Sequence, residues 1–427
     1  MRVDFAFGKK GLNLELPEGP VYQILEPRWA QPLSDPEEAV NASLDRPMGC
    51  SPLVELARGK KTAAISVCDI TRPAPNKLIL PLVLRRLEAA GIGREAVTIL
   101  IATGLHRPAT DAEIVEIVGA EVAAGYKVVN HHAREEGEHV NLGRTRRGTP
   151  VAIDRRYVEA GLHITLGFIE PHLMAGFSGG RKLIAPGLAY QETIKTLHGP
   201  AFMRDPRAVE GSIEDNPLHA ELLEISRMAG HDFLVDVVLA RGKKVAAVFA
   251  GAPAVAHPAG IEFVREKMVE RLPEAMDAVI TTSAGYPLDL TFYQAAKGVT
   301  AASHIVKPGG VIYLLAECAE GAGAAEFSEM LRTAPDAGEF LKRLEGVPVA
   351  IDQWQLEKLA LVIQKAQVWW HTPGLPVMYH AGVWGRLCND AQSGVHALVD
   401  QLGPGARVAV IPEGPYVLAR IEDTVAV

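Results

Sequence analysis

Short apolar runs, each followed by a loop of glycine, proline and charged residues, constrain the fold of this 427-residue chain most strongly. The clearest are residues 62–68, 97–102, 163–166 and 278–282. Each run is shorter than a typical helix and has no polar alternation, so it predicts a parallel strand that is buried on both faces. Helical patterns such as residues 81–90 lie between the runs. This alternation predicts an α/β fold.

The same alternation occurs in both halves of the chain, so we predict two α/β domains with mostly parallel sheets. Residues 1–265 form the N-terminal domain and residues 270–400 form the C-terminal domain. A long helix is predicted over 354–370 and a final strand over 406–411. The segment 401–427 is expected to return to the first domain.

Composition excludes several classes of function. The formal net charge is −8, which does not favour binding to nucleic acid. No apolar run approaches the roughly 18 residues that a membrane span needs. The four cysteines are scattered without a C-x-x-C pair, which fits a reducing compartment and argues against a cysteine-rich zinc site. The N-terminus has no signal-peptide pattern, so we expect a cytoplasmic protein.

The loop at residues 167–182 concentrates reactive side chains. It contains Glu170, His172, Ser178, Arg181 and Lys182 together with four glycines. Such a loop is more typical of a site than of a connection. Glycines let the backbone approach a ligand and direct N–H groups at an anion, and the arginine and lysine add positive charge. The loop therefore predicts binding of a phosphate-bearing cofactor.

Two known sequence motifs are candidates for this loop. Residues 176–180 match the G-x-S-x-G nucleophile elbow, yet Ser178 lies about ten residues past the strand, whereas an elbow needs a sharp strand-to-helix turn. A serine hydrolase that uses Ser178 stays as a weaker alternative. A P-loop is excluded because Gly180 is followed by Arg-Lys-Leu. A third alternative is a non-catalytic nucleotide-phosphate binder in which Lys182 is only an electrostatic contact.

Polar side chains also follow the two preceding strands. Asp69 and Arg72 come after the run at 62–68, and His106 comes after the run at 97–102. Open α/β sheets bind ligands at the carboxyl ends of their strands, so we expect these side chains at one functional edge. A surface ion pair between Asp69 and Arg72 and a structural role for His106 are the alternatives.

Further candidates lie elsewhere in the chain. His198 ends a predicted helix, either as a partner of the helix dipole or as a ligand that reaches back to the loop. Tyr293 and Lys297 are one helical turn apart, with Gln294 beside them, and they offer hydrogen bonds and a cation to an anionic substrate. A solvated helix face is the alternative. The histidine- and acid-rich segment 127–139 matches no metal motif and is interpreted as a solvated strand and loop.

Taken together, these motifs resemble the nickel-dependent lactate racemase family over nearly the whole chain. The resemblance rests on their order, spacing and residue types in both halves. The motifs are Asp69-Ile-Thr-Arg72-Pro73, Gly104-Leu-His106-Arg107-Pro108, Glu170-Pro171-His172, Gly176-Phe-Ser-Gly-Gly-Arg-Lys182, His198 and Tyr293-Gln294-Ala-Ala-Lys297.

The resemblance implies a nickel-pincer nucleotide, a Ni(II)-pyridinium-3,5-bisthiocarboxylic acid mononucleotide, attached covalently at Lys182. It implies that His198 is the protein ligand to nickel and that His106 and His172 are the paired acid/base groups. By the same likeness, the cofactor's pyridinium and phosphate are held by Asp69, Ile70, Thr71, Arg72, Ser178, Gly179 and Gly180. The substrate carboxylate is expected on Gln294 and Lys297, with Tyr293 nearby.

The implied activity is inversion of C2 in a 2-hydroxy acid. The C2 hydrogen beside a carboxylate is a poor acid, so its removal as hydride to a cofactor avoids a carbanion. A base must take the hydroxyl proton on either face of the substrate, which accounts for two histidines. We expect the active site in the cleft between the two domains, where closure retains the keto intermediate.

Lactate or a similar short acid is the favoured substrate. Malate, longer or aromatic 2-hydroxy acids, and aldonic acids such as gluconate are the alternatives, and Arg107 and Arg181 are candidates for holding a second carboxylate. Accessory enzymes that build the cofactor are the expected partners. The sequence is compatible with a homo-oligomer and does not fix the oligomeric state.

Overall fold

The computed structural model describes residues 1–334 and 336–422 and divides the chain into two compact units. The first unit is made of residues 29–198 and 206–267, and the second of residues 1–28, 199–205 and 268–427. Each unit is built around its own, mostly parallel sheet, which confirms the predicted α/β fold class. No helix in the described ranges is long and apolar enough to cross a membrane.

The sheet of the first unit, whose residues are all described, has six strands. In spatial order they are Val245–Gly251, Phe233–Leu239, His163–Phe168, Ala63–Cys68, Val97–Ala102 and Lys127–Asn130. All neighbours are parallel except the first two, which form an antiparallel pair. Every residue of Ala63–Cys68 is buried, as expected for a central strand covered on both faces.

Helices cover this sheet and bury their apolar faces on it. They are Pro36–Asp45, Leu53–Ala57, Asn76–Ala89, Asp111–Val118, Ala120–Gly125, Arg155–Val158, Gln191–Leu197, Pro217–Ala229 and Pro253–Met268. The capping box predicted at Thr110 is confirmed, because its hydroxyl accepts the Glu113 N–H while the Glu113 carboxylate accepts the Thr110 N–H. Two small antiparallel pairs, His139–Arg144 with Pro150–Asp154 and Pro171–His172 with Gly176–Phe177, complete the unit.

The described strands of the second sheet are all parallel. In spatial order they are Arg386–Leu387, Gln367–His371, Val306–Leu315, Met276–Thr282, Arg407–Ile411 and Val21–Ile24. The described helices of the unit are Pro200–Met203, Phe292–Ala302, Ala325–Thr333, Ala337–Arg343, Gln353–Lys365 and Ala391–Leu402. Two small sheets pair Arg2–Phe5 with Leu12–Glu15 and Val269–Leu272 with Leu418–Ile421.

Three sequence predictions about this unit are wrong. Residues 1–28 were predicted to lie in the N-terminal domain but belong to the second unit, where strand Val21–Ile24 pairs with strand Arg407–Ile411. The helix predicted over 354–370 ends at Lys365, and Gln367–His371 is a strand paired with Val311–Leu315. Its Val-Trp-Trp segment is buried, a composition that suits a pleated strand better than a helix end. The segment 401–427 does not return to the first unit as far as it is described, because Arg407–Ile411 pairs with Met276–Thr282 in the second sheet.

Candidate active site

Asp69 and His106 form a hydrogen-bonded pair at the carboxyl ends of two neighbouring strands. The Asp69 Oδ2 atom lies 2.7 Å from His106 Nδ1, and the Thr71 hydroxyl donates to Asp69 Oδ1 at 2.6 Å. Burial by itself raises the pKa of Asp69, but hydrogen bonds from His106 and Thr71 and the charge of Arg72 outweigh it and lower the pKa. The ionised carboxylate only accepts, so the His106 Nδ1 atom carries the proton. The Nε2 atom of the neutral ring then has a lone pair, as a general base requires.

Lys182 and His172 form a second pair on the loop at 167–182. The Lys182 Nζ atom lies 2.8 Å from His172 Nε2. Burial, followed by the charges of Arg72 and Arg181, lowers the pKa of Lys182 well below its usual value, which favours a neutral amine. The backbone N–H groups of Met174 and Ala175 point at His172 Nδ1 over 3.4 and 3.3 Å. With Nδ1 accepting, the ring proton is on Nε2 and faces the amine.

Backbone and side-chain contacts bring these two pairs to the same edge of the sheet. The Gly104 N–H donates to the Gly187 carbonyl at 3.0 Å, and the Gly187 N–H donates to the Lys182 carbonyl at 3.1 Å. Arg72 and Glu170 form a long ion pair of 4.0 Å. The loops that follow three strands therefore converge, as predicted from the carboxyl-end rule. Ile70, between Asp69 and Thr71, packs on the core of the first unit.

His198 joins the second pair around a small cavity. Its lining includes His172, Lys182 and His198, closed by apolar residues such as Leu197 and Leu222. The His198 Nδ1–H group donates to the Ile194 carbonyl at 2.7 Å, which leaves the lone pair of the neutral ring on Nε2. Burial lowers the pKa of His198 to about 4, so the ring is neutral near pH 7.

The His198 ring has the form that a histidine ligand to a metal takes. A neutral imidazole whose second nitrogen is held by a carbonyl is the usual form of a histidine ligand. In the described ranges no group of three or more His, Cys, Asp or Glu side chains could hold a metal ion. The neutral Lys182 amine beside His198 is the nucleophilic form of lysine.

The glycine-rich part of the loop faces the protein interior. The Ser178 hydroxyl donates to the Phe168 carbonyl at 2.8 Å and accepts the Glu170 N–H at 2.9 Å. The Gly180 N–H donates to Asp236 Oδ1 at 3.2 Å. These polar groups therefore support the loop itself. Ser178 also lacks the exposed hydroxyl that the serine hydrolase alternative requires, because it is 8% exposed.

The two arginines considered for a second carboxylate are both engaged. Arg181 is 1% exposed, and its Nη2 atom donates to the Ala175 and Phe177 carbonyls at 2.8 and 3.2 Å. Arg107 forms a two-pronged ion pair with Glu113 at 2.6 and 2.7 Å. Neither guanidinium is directed at a ligand by these contacts.

Sequence reasoning missed Asp236 and His257. The His257 Nε2 atom lies 2.6 Å from Arg181 Nη1, and His257 Nδ1 lies 2.7 Å from Asp236 Oδ2. Asp236 lies within the otherwise apolar strand Phe233–Leu239, opposite Gly167 of the neighbouring strand. A carboxylate inside a buried strand was the signal that could have found the pair.

In the second unit, Tyr293, Gln294 and Lys297 share the half-buried face of helix Phe292–Ala302, whose other face is in the core. The Lys297 Nζ atom donates to Gln294 Oε1 at 2.5 Å. The Tyr293 ring packs edge-on against Phe327, with centroids 5.1 Å apart. The amide and the ammonium group are thus presented together, as a carboxylate-binding pair requires.

The interpretation of segment 127–139 as a solvated strand and loop is wrong for two of its histidines. His131 and His139 are 1% and 6% exposed. The two ring nitrogens of His131 lie 3.1 Å from Asp154 Oδ2 and 3.0 Å from the Ala189 carbonyl. The acidic run indicated a solvated segment, whereas the His131 ring packs edge-on against the His139 ring, with centroids 5.1 Å apart.

Comparison with protein families covers most of the chain. The lactate racemase N-terminal domain matches residues 7–211, and the lactate racemase C-terminal domain matches residues 272–419. The chain is 36% identical over 395 residues to the lactate racemase of Lactiplantibacillus plantarum, covering 90% of this chain and 91% of that protein. It is 33% identical over 427 residues to the lactate racemase of Thermoanaerobacterium thermosaccharolyticum, covering 98% and 99%.

Solved structures agree with the sequence comparisons. The lactate racemase apoprotein from Thermoanaerobacterium thermosaccharolyticum superposes with a TM-score of 0.92 at 32% identity, over 98% of this chain and all of that one. A protein from Thermotoga maritima has a TM-score of 0.68 at 18% identity, over 92% of this chain, and shares the fold. The identity, coverage and structural agreement confirm the resemblance found in the sequence: the chain belongs to the lactate racemase family, whose members are isomerases.

Proposed function

We propose that this chain inverts C2 of lactate or a similar short 2-hydroxy acid by proton-coupled hydride transfer, with a nickel-pincer nucleotide attached at Lys182. The observation that carries the proposal is the cavity lined by His172, Lys182 and His198 in a member of this family. It places a neutral amine, a neutral imidazole with a lone pair and a second imidazole around one space. Two close relatives are named lactate racemases, which favours lactate as the substrate.

His198 would hold the metal, and Lys182 would hold the nucleotide. The Nδ1–H group of His198 is committed to the Ile194 carbonyl, so Nε2 is the ring nitrogen that would bind the metal. Burial lowers the pKa of Lys182, which favours the neutral amine whose nitrogen can form a covalent bond. When bound, the nucleotide supplies the acceptor for a hydride from C2 of the substrate. Asp69, Ile70, Thr71, Arg72, Ser178, Gly179 and Gly180 are proposed to shape the rest of its site.

His106 and His172 would handle the hydroxyl proton, one for each enantiomer. His106 can accept it on Nε2 while Asp69 stabilises the resulting imidazolium through Nδ1–H. His172 is held at Lys182 by a contact of 2.8 Å, close to the cavity. The inversion would be complete once the hydride has returned to the opposite face of C2 and the other histidine has returned a proton to the oxygen.

Lys297 and Gln294 are proposed to bind the substrate carboxylate. Their side chains already meet at 2.5 Å, so a carboxylate could bridge an ammonium and an amide N–H group. The same arrangement suits any 2-hydroxy acid, because it reads only the carboxylate. Enzymes that build the nucleotide are the partners this proposal requires.

The test is interconversion of D- and L-lactate by protein co-produced with the cofactor-building enzymes, followed by chiral chromatography. Lys182→Ala is expected to abolish interconversion. Lys195→Ala is the matched control, because Lys195 is on the same unit but pairs with Glu192 at 3.1 Å on the surface. Malate and gluconate in parallel reactions determine the substrate class. Full activity of Lys182→Ala would refute the proposal.

A further inference from the structure

A buried charged relay lies directly beneath the loop that carries His172 and Lys182. Its members are Arg181, His257 and Asp236, which are 1%, 3% and 0% exposed. They come from three elements of the first unit: the turn Gly180–Leu183, the helix Pro253–Met268 and the strand Phe233–Leu239. Nothing in the proposed chemistry uses them, although burying charged groups is costly.

One arrangement of protons satisfies the relay. Arg181 Nη1 can only donate, so His257 Nε2 at 2.6 Å must accept. The His257 proton is then on Nδ1 and is donated to Asp236 Oδ2 at 2.7 Å. Burial lowers the pKa of His257, in keeping with a neutral ring. A cation and an anion are thus joined through a neutral imidazole, and the relay has no net charge.

The relay fixes both halves of the loop. Arg181 Nη2 holds the carbonyls of Ala175 and Phe177 at 2.8 and 3.2 Å, while Asp236 Oδ1 accepts the Gly180 N–H at 3.2 Å. The residues held in this way lie between His172 and Lys182 in the chain. The 2.8 Å contact of the two side chains depends on where these halves are placed.

The glycines of the loop make room for the relay. A Cβ atom on Gly167 or on Gly179 would lie 2.8 Å from the Asp236 carboxylate. One on Gly180 would lie 3.2 Å from the His257 ring. The backbone at Gly179 and Gly180 also has φ values of +81° and +47°, which favour glycine. These glycines are therefore explained by close packing on an internal carboxylate.

We infer that Asp236, His257 and Arg181 are positioning residues that hold Lys182 and His172 in the geometry needed for covalent attachment of the cofactor. This inference rests on the proposed role of Lys182. The relay acts through the loop backbone and does not touch the reacting groups.

Substitutions can separate positioning from bulk stability. In Asp236→Asn the amide oxygen can still accept the Gly180 N–H, but its NH₂ group then faces the Nδ1–H of His257, donor against donor. His257→Gln keeps one donor and one acceptor in the relay, whereas His257→Ala keeps neither. Asp154→Asn is the matched control, because Asp154 is also 0% exposed and histidine-bound in this unit but does not contact residues 175–181.

The experiment measures the fraction of full-length chains that carry the cofactor mass on Lys182 after co-production with the cofactor-building enzymes. Asp236→Asn and His257→Ala are expected to lower that fraction by about tenfold or more, because small misplacements of reacting groups have effects of this size. His257→Gln and Asp154→Asn should stay close to the unsubstituted protein. Circular dichroism and thermal melts check that each variant is folded.

The outcomes distinguish this inference from the proposed function. No adduct on the unsubstituted protein would overturn the role of Lys182 itself. An adduct that is unchanged in Asp236→Asn, or lost equally in Asp154→Asn, would overturn the relay. Ring ¹⁵N shifts of histidine-labelled protein without cofactor give a second readout that needs no variant to fold. We expect the His257 proton on Nδ1, and a proton on Nε2 would refute the arrangement.

Discussion

Replacement of Asp69 by asparagine tests the acid/base pair most selectively. An asparagine oxygen can still accept His106 Nδ1–H while its NH₂ group donates to the Thr71 hydroxyl, which can turn to accept. The tautomer of His106 therefore survives. What is lost is the negative charge 2.7 Å from the ring, which stabilises the imidazolium formed when His106 takes the substrate proton.

The size of the effect follows from this geometry. A hydrogen bond to a charged partner contributes about 1.5–3 kcal/mol, against about 0.5–1.5 kcal/mol for a neutral one. The His106 side chain is 59% exposed, so water screens the charge and keeps the difference near the lower end. A difference of about 1 kcal/mol corresponds to a fall in kcat of about threefold to tenfold. The kcat of Asp69→Ala should fall further, because this variant also loses the hydrogen bond that orients the His106 ring.

The assay must follow half-reactions. Racemisation has an equilibrium constant of one, so kcat/KM stays equal for the two enantiomers in every variant. Rapid quenching within the first turnover, followed by measurement of the 2-keto acid, gives a separate rate of keto acid formation for each enantiomer. Asp69→Asn should slow keto acid formation from only one of them. Asp232→Asn, which alters the His163–Asp232 pair of 2.8 Å outside the site, should slow neither.

Equal slowing from both enantiomers would refute this reasoning. It would mean that Asp69 acts on the shared cofactor site and not through His106. An unchanged rate from both enantiomers would show that the charge of Asp69 contributes nothing to proton transfer.

Three further predictions concern single positions. Ser178→Ala should lower the free energy of unfolding by about 1–3 kcal/mol, because two buried hydrogen bonds are lost; an unchanged value in urea unfolding would contradict the role of these bonds in supporting the loop. Lys297→Met should raise KM about tenfold to hundredfold with little change in kcat. Lys307→Met is the control and should leave KM unchanged, because the ion pair of Lys307 with Asp277 lies outside the proposed substrate site. An unchanged KM in Lys297→Met would exclude Lys297 as the residue that binds the carboxylate. Burial raises the pKa of Asp154, but hydrogen bonds from Arg156 and His131 and their charges lower it to about 2. Because the pKa of Asp154 is lower in the folded than in the unfolded protein, its ionised form stabilises the fold above pH 3.8, and this contribution is lost as the pH falls towards 2. Urea unfolding should therefore show a fall of about 2 kcal/mol in the free energy of unfolding over this range, and the fall should be absent in Asp154→Asn. An equal fall in both proteins would contradict the prediction.

The first unit shows what local pattern can predict. Uniformly apolar runs marked its central strands, and the carboxyl-end rule placed the side chain of Asp69 beside that of His106. Both predictions depend on features that are continuous in sequence. The resemblance to a family added roles that no spacing rule supplies.

The errors arise where tertiary packing decides. No glycine or proline separates helix 353–365 from strand 367–371, so only pairing with Val311–Leu315 marks the change. Arg181 was interpreted as positive charge beside the glycine-rich loop, but it is buried and contacts His257, which is 76 residues away in the chain. The glycines interpreted as an anion cradle also leave room for Asp236, a contact between distant segments that no local pattern reveals.

The most direct test of the account is the intact mass and nickel content of the chain after co-production with the cofactor-building enzymes. We predict a covalent adduct that maps to Lys182, with about one nickel per chain that is lost in His198→Ala. An unmodified, nickel-free chain that still interconverts the enantiomers of lactate would contradict the chemistry assigned here.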